Sequence, residues 1–398
     1  MLSMVVIRST IPLAAQVLDG STSDEYRRTV TALERYRVLA SEDDGEILPA
    51  TDRPVEAGGH YAGMPRLIRL LSRIGDLSSE PASAGSDKYD PALMAAVKRF
   101  QTRHGLEPDG RLGKGTLAQL NTPLSFRVRQ LELAVERWRR FPYDPSRPSI
   151  ALNLPEFRLR AFNPARQPAL EMKIVIGRAR KLKTPLLSSQ VDAVIFRPHW
   201  NVPNSIQRTE LIGDIKRDPT YLSKNDFELV TANNTVVTED AVANTMLAQL
   251  RSGKLRLRQK PGAKNALGLV KFVFPNEYAV YMHDTPSKSL FAKARRDLSH
   301  GCIRLEKATD LAEWVLAMES GWSRDRVQAA MQGTETLSVR LKHTIPLATM
   351  YVTAVVMESG EVRFFEDIYG EDAALEKELN SGAKPQATSG EPDPRPHE

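Results

Sequence analysis

The sequence predicts a multidomain α+β chain, helical in its N-terminal part, then mostly β, with a long insertion breaking the β portion. Three observations carry this. At 398 residues the chain exceeds what one hydrophobic core usually organises. The spacing of apolar residues changes from helical to alternating just after Pro148. Residues 204–268, between strand-like segments, are too long for a simple loop and mix helical with polar character.

In chain order, "YRRTVTALERYRVLA" and "MPRLIRLLSRIGDL" place apolar residues at helical spacing, separated by a Gly- and Pro-bearing stretch. They define a helical scaffold region at 1–64 and lead into a second helical domain at 65–122. There "YDPALMAAVKRFQTRHG" opens on Asp90 as N-cap, with Pro91 at the first helical position, and closes at Gly105. "LEPDGRLGKGTLAQL" turns at Asp-Gly before a short helix. A linking helix within 123–147 carries Val128, Leu131, Val135 and Trp138 on one stripe until Pro142 stops it, and reads as a strut between domains. From 148 to 345, "SIALNLPEFRLRAF", "LEMKIVIG", "VDAVIFRPHWNVP", "LVKFVFP" and "YAVYMHD" read as strands, around an insertion at about 204–268. A C-terminal extension covers 346–371, and the Pro-, Gly- and charge-rich 372–398 reads as a disordered tail.

Composition narrows the function classes. Fifty-five basic against forty-nine acidic residues give +6, but the surplus is spread along the chain. The runs "ERWRRFP" and "AKARRDL" read as solvated helix faces, and no stacking aromatics interleave with basic residues, so no nucleic-acid partner is expected. No run approaches the ~18 apolar residues of a membrane span. The apolar start "MLSMVVIRSTIPLAAQ" has no preceding basic residue and is interrupted by Arg8, so no secretory signal is read there. One cysteine forbids an intramolecular disulfide and a multi-thiolate zinc site.

That cysteine, Cys302, allows three readings. As a buried small hydrophobe it needs no partners, yet Ser299, His300, Gly301 and Arg304 around it are polar or flexible. As a metal ligand it would join His283 and His300, but no HExxH pattern or neighbouring carboxylate spacing supports the site. As a nucleophile it needs a base or a positive environment, since the thiolate is the attacking species. His283 ends the strand "YAVYMHD" on the same face as Tyr281, where it can be presented rigidly. A helix is expected to begin just after Cys302 and to favour the thiolate with its dipole. Gly301 lets backbone N–H groups approach a developing oxyanion, which makes acyl transfer the natural reaction class.

His283 followed by "SHGCIR" at this spacing resembles the L,D-transpeptidases with a YkuD-type catalytic domain. "WNVP", "RQKPGAKNALGLVKFVFPNEYAVYMHDTP" and "DIYGED" in that order are similar to the large, capped periplasmic branch, with the insertion as cap. "YDPALMAAVKRFQTRHGLEPDGRLGKGTLAQLN" resembles a three-helix peptidoglycan-binding domain.

The resemblance implies that Cys302 attacks a tetrapeptide stem donor, releases D-Ala, and passes the acyl group to the side-chain amine of a diaminopimelate-type acceptor, forming 3-3 cross-links. It implies His283 as base, oriented by the Asp284 main chain, with His300 shaping the loop or assisting the acceptor, and Ser299 hydrogen-bonded within it. Arg304 either pairs with a stem carboxylate or braces the loop. Tyr281 and Trp200 are candidates for lining the pocket, and Asn265 is read as a turn residue first. The resemblance further implies a role in cell-wall organisation and cell shape, a periplasmic or cell-envelope location and acylation by carbapenems. No cofactor or metal is called for. A carboxypeptidase or hydrolase using the same thiol, and an inert wall-binding adaptor, are the competing readings.

Overall fold

A computed structural model describes residues 20–381 apart from 79–86, 142, 143, 145 and 238–243. The start of the chain, where a signal was sought, and residues 382–398 of the expected tail lie outside the described residues.

Helix α1 (Asp24–Ser41) begins where the extended Ser23 accepts the Tyr26 N–H, with Asp24 and Glu25 at its positive end. Helices α2 (Met64–Arg73), α3 (Pro91–Arg103) and α4 (Lys114–Leu120) share a core of Leu67, Leu71, Leu93, Val97, Phe100 and Leu117. Asp90 caps α3 by accepting the Leu93 N–H, and buried Gln101 holds the Asp-Gly turn through Asp109 and the Gly110 N–H. Leu48 and Tyr61, upstream of residue 65, complete this core. Helix α5 (Leu124–Arg140) ends ahead of Pro142.

The β portion starts with β1 (Ser149–Asn153), β2 (Arg158–Phe162), β3 (Pro168–Gly177) and β4 (Ser188–Phe196). The insertion follows. It runs through β5 (Trp200–Asn201), α6 (Asn204–Ile206), a π-helical stretch Gln207–Leu211, α7 (Ile212–Arg217), α8 (Tyr221–Lys224), β6 (Phe227–Thr231), β7 (Val236–Val237), α9 (Asn244–Ser252) and β8 (Leu255–Gln259). Its four strands form their own sheet, in the order β5-β8-β6-β7, over a separate core that includes Ile215, Leu229, Leu250 and Leu257. The chain then returns through β9 (Val270–Val273), β10 (Met282–His283), β11 (Asp297–Ser299), β12 (Ile303–Leu305), α10 (Ala308–Leu316), α11 (Arg324–Gln332) and β13 (Leu337–Met350). A hairpin, β14 (Ala354–Val356) with β15 (Val362–Phe364), and α12 (Glu371–Asn380) end it.

The nine-stranded sheet has the order β11-β3-β12-β10-β9-β4-β13-β1-β2, and a further β2–β3 pairing closes it on itself. Closure through β2 leaves β11 paired to β3 alone and encloses Leu152, Leu159, Ile174, Phe272, Met282 and Ile303 in the main core.

Four sequence expectations are corrected here. The chain after Cys302 is a strand, not a helix start: β12 pairs parallel with β10, and α10 begins only at Ala308. Residues 372–380 of the expected tail are helical, because Leu375 is buried and Arg137, Arg129 and Arg140 of α5 pair with Asp372, Glu376 and Glu378 of α12. The run "ERWRRFP" therefore clamps two helices instead of facing solvent alone. In "AKARRDL", which leaves a short 3₁₀ helix at Ala292 and enters β11 at Asp297, Arg296 is buried and donates to the carbonyls of Phe157, Ile174, Lys293 and Ala294. Helix α5 is more than a strut, since it shares a third core with α1 and the β14–β15 hairpin, including Leu33, Tyr36, Leu131 and Phe364.

Candidate active site

Strand register builds the site. Met282 pairs with Phe272 on β9 and Ile303 on β12, and all three are fully buried in the core. Alternation sends their neighbours to the opposite face. His283 is level with Lys271 on one side and Arg304 on the other. In the same register Tyr281 is level with Cys302, and its carbonyl accepts the Ile303 N–H at 3.0 Å. One face of three neighbouring strands thus carries Lys271, Tyr281, His283, Cys302 and Arg304 together.

His283 is 4% exposed, and its Nδ1 meets the main-chain carbonyl of Asp284 at 2.5 Å. A carbonyl only accepts, so Nδ1 carries the proton and Nε2 holds the lone pair. Burial, and next the Arg304 guanidinium, push the imidazole pKa down to about 3. Asp284 is itself fixed: its N–H donates to the Val270 carbonyl, and its carboxylate accepts the Leu269 N–H and the Lys288 ammonium.

Gly268 makes room for that arrangement. Its φ is 62°, and a Cβ there would overlap the Asp284 carboxylate. Gly268→Ala is expected to displace Asp284 and the carbonyl that sets the tautomer of His283. Turnover should fall at least about tenfold, the cost of losing one hydrogen bond of about 1.4 kcal/mol from a positioned base. Turnover equal to wild type in a variant that melts normally would show that the carbonyl anchor is dispensable.

Cys302 is half-buried. Burial raises its pKa, opposed by the backbone N–H and hydroxyl of Tyr281 and by the charges of Lys271 and Arg304. Its thiol sits against Tyr281. No hydrogen bond joins it to His283 among the described residues; the two residues share a face one register step apart, about 7 Å along the strand direction. Burial, followed by the sulfur itself, pushes the Tyr281 hydroxyl pKa up, while the Trp200 side chain hydrogen-bonds it from the insertion. The Lys271 ammonium lies 3.7 Å from the Tyr281 ring centroid. Arg304 has a buried Nε with no partner among the described residues.

The remaining predicted residues build the loop. Ser299 Oγ donates to the Cys302 carbonyl at 2.6 Å and accepts the Gly301 N–H at 3.2 Å. Gly301 has φ 122°, which side-chain-bearing residues rarely adopt, and its carbonyl accepts the Thr184 hydroxyl at 2.7 Å. His300 points away from the thiol, its Nε2 meeting Glu210 Oε1 of the insertion at 2.5 Å. His283, His300 and Cys302 do not converge as ligands, and no group of three His, Cys, Asp or Glu among the described residues is arranged to hold a metal. Asn265 is buried in the lip of the insertion, donating to the Pro198 and Lys260 carbonyls.

Sequence reading missed Lys271, Glu210, Thr184 and Gly268. For Lys271 a signal existed: alternation in "LVKFVFP" sets it opposite Val270 and Phe272. Which strand would lie beside it is not written in that stretch. The other three are joined to the site only by long-range packing.

Residues 147–339 match the family model of the YkuD L,D-transpeptidase catalytic domain, and residues 65–120 match that described as "Putative peptidoglycan binding domain". A Haemophilus influenzae protein described as "Putative L,D-transpeptidase" is 31% identical over 226 residues, 57% of this chain and 45% of that protein. The chain thus spans under half the length of that relative. Solved L,D-transpeptidase structures from Xylanimonas cellulosilytica and Stackebrandtia nassauensis align over 76% of this chain, and over 100% and 96% of theirs. Their identities are 14% and 12% and their TM-scores 0.23 and 0.28, superpositions too loose to bear weight. Residues 147–339 are thus a YkuD-type L,D-transpeptidase catalytic domain, with a peptidoglycan-binding domain ahead of it at 65–120.

Proposed function

We propose that the chain is a peptidoglycan L,D-transpeptidase of the cell envelope that works through a Cys302 acyl-enzyme and forms 3-3 cross-links. The observation that carries this is a neutral, carbonyl-anchored His283 on the same sheet face as the only thiol, between two cations. In the resting state burial raises the thiol pKa and lowers that of the imidazole, so a thiolate–imidazolium pair is disfavoured. The proton therefore moves as attack proceeds. Catalytic hydrogen bonds are often long without substrate and tighten when it binds.

The sulfur attacks the carbonyl before the terminal D-Ala of a donor tetrapeptide while His283 Nε2 takes its proton. The tetrahedral adduct expels the D-Ala amine, which receives that proton, leaving a thioester. The side-chain amine of a second stem then attacks, His283 takes one of its protons, and the sulfur leaves and is reprotonated. Arg304, with its unpartnered Nε, and exposed Arg178 beside it supply positive charge for a stem carboxylate. Trp200 and Tyr281 line the pocket on the insertion's side, and the His300–Glu210 contact holds the insertion against the catalytic loop. Incubation with purified tetrapeptide muropeptides tests the reading. Cross-linked dimer with free D-Ala is expected, whereas tripeptide alone would make the protein a hydrolase.

Lys271 lowers the thiol pKa by its charge. Lys271→Met removes that charge at similar length, so the thiolate fraction at neutral pH should drop. Iodoacetamide alkylation of Cys302, which needs no substrate, is expected to slow about three- to tenfold, a pKa rise of up to about one unit. An unchanged alkylation profile would remove Lys271 from the site.

A further inference from the structure

Tyr369 stands in "DIYGED", a stretch on which no step of the mechanism draws. It lies beyond β15, yet its hydroxyl donates to the Gly177 carbonyl at 2.5 Å and accepts the Thr184 N–H at 3.2 Å. The Thr184 hydroxyl in turn accepts the Gly177 N–H at 2.9 Å and donates to the Gly301 carbonyl at 2.7 Å. We propose that Thr184, braced by Tyr369, is a positioning residue for acyl transfer that aims the Cys302 N–H at the developing oxyanion. The proposal rests on the acyl-enzyme reading above.

The link runs through one peptide plane. The Gly301 C=O and the Cys302 N–H belong to the same trans unit, so they point in opposite directions. A hydroxyl that grips the carbonyl therefore sets where the N–H points. Of the two N–H groups expected at the oxyanion, that of Gly301 is already given to Ser299 Oγ at 3.2 Å, which leaves that of Cys302. When the sulfur adds to a carbonyl, the π pair moves onto oxygen, and a donor already aimed there lowers the barrier.

The brace is held on every side. Thr184 is 2% exposed, and its single proton goes to Gly301. The turn at 178–183 folds back so tightly that a Cβ on Gly177 would fall 1.9 Å from the Leu182 carbonyl oxygen. Tyr369 is fixed as well: its N–H donates to the Tyr351 hydroxyl at 2.8 Å, and its carbonyl accepts the Lys183 ammonium at 2.6 Å. The Tyr351 hydroxyl donates onward to Asp367 at 2.7 Å. The C-terminal extension thus reaches the catalytic loop through two buried hydroxyls.

The test compares two reactions of Cys302 in the full chain, both followed by intact mass. Acylation by a carbapenem passes through an oxyanion, whereas alkylation by iodoacetamide displaces iodide at a saturated carbon and forms none. Thr184→Val, which keeps the shape and loses the hydroxyl, is expected to slow acylation at saturating drug about ten- to hundredfold and to leave alkylation within about twofold of wild type. Thr184→Ser should restore acylation. Tyr369→Phe should slow it about three- to tenfold, the loss of one buried hydroxyl a step further away. Equal slowing of both reactions, or unchanged acylation by Thr184→Val, would overturn the proposal, and if that variant does not fold, Tyr369→Phe decides on the same ratio. A wild type that takes no acyl group would bring down the acyl-enzyme reading and the proposal together, whereas an acylated wild type with unaffected variants brings down the proposal alone.

Discussion

Cys302→Ala is expected to lower cross-link formation from tetrapeptide muropeptides by about four orders of magnitude or more, to background. Without the sulfur there is no acyl-enzyme, and no other cysteine exists to replace it. The loss should come without unfolding. Cys302 is only half-buried, and its contribution to the loop runs through its carbonyl, which Ser299 holds and alanine retains. Two measurements check this: dimer yield by chromatography, and intact mass after incubation with a carbapenem. Wild type should gain one acyl adduct and the variant none. Full cross-linking by a folded Cys302→Ala protein would show that the sulfur is not the nucleophile.

His283→Ala is expected to cost about 10²- to 10⁴-fold in turnover, the range for a positioned proton-transfer group. Its pH signature is the sharper test. With the imidazole pKa pushed to about 3, His283 stays neutral from pH 5 upwards, so wild-type acylation should show no ionisation near 6.5. The rate should be flat between about pH 5 and 8, because the thiol remains protonated and the base unprotonated throughout that window. A rate rising tenfold per pH unit would instead mean that free thiolate is the reactant and that His283 is not its base. Linkage gives a matching stability effect. The folded-state pKa is below the unfolded value of about 6.5, so this histidine's contribution is complete above that pH and is lost as pH falls toward 3.

Much of the site was legible because its chemistry sits in short contiguous stretches. Alternation in "YAVYMHD" placed Tyr281 and His283 on one face, and β10 keeps them there. The helix expected after Cys302 failed for a definite reason: Leu305, Leu311 and Val315 have helical spacing, but Ile303 and Leu305 are drawn into the sheet by β10 and β3, delaying α10 to Ala308. The longest strand, β13, was missed because Arg340, Lys342, His343 and Pro346 blur its period, and it bulges between Arg340 and Ile345. The clamp between α5 and α12 was invisible because each helix, taken alone, shows only surface charge.

By itself the sequence determined the order of helical and β regions, the single cysteine, the strand that carries His283, and the polar loop between them. Local propensity and covalent spacing suffice for that, since each of these features is complete within about twenty residues. Only the tertiary structure decided that Lys271 and Arg304 flank His283, that Trp200 and Glu210 reach the site from the insertion, and that Tyr281, not His283, is the thiol's immediate neighbour. Those relations depend on which strands lie side by side and how deeply each charge is desolvated, and both are properties of the packed sheet.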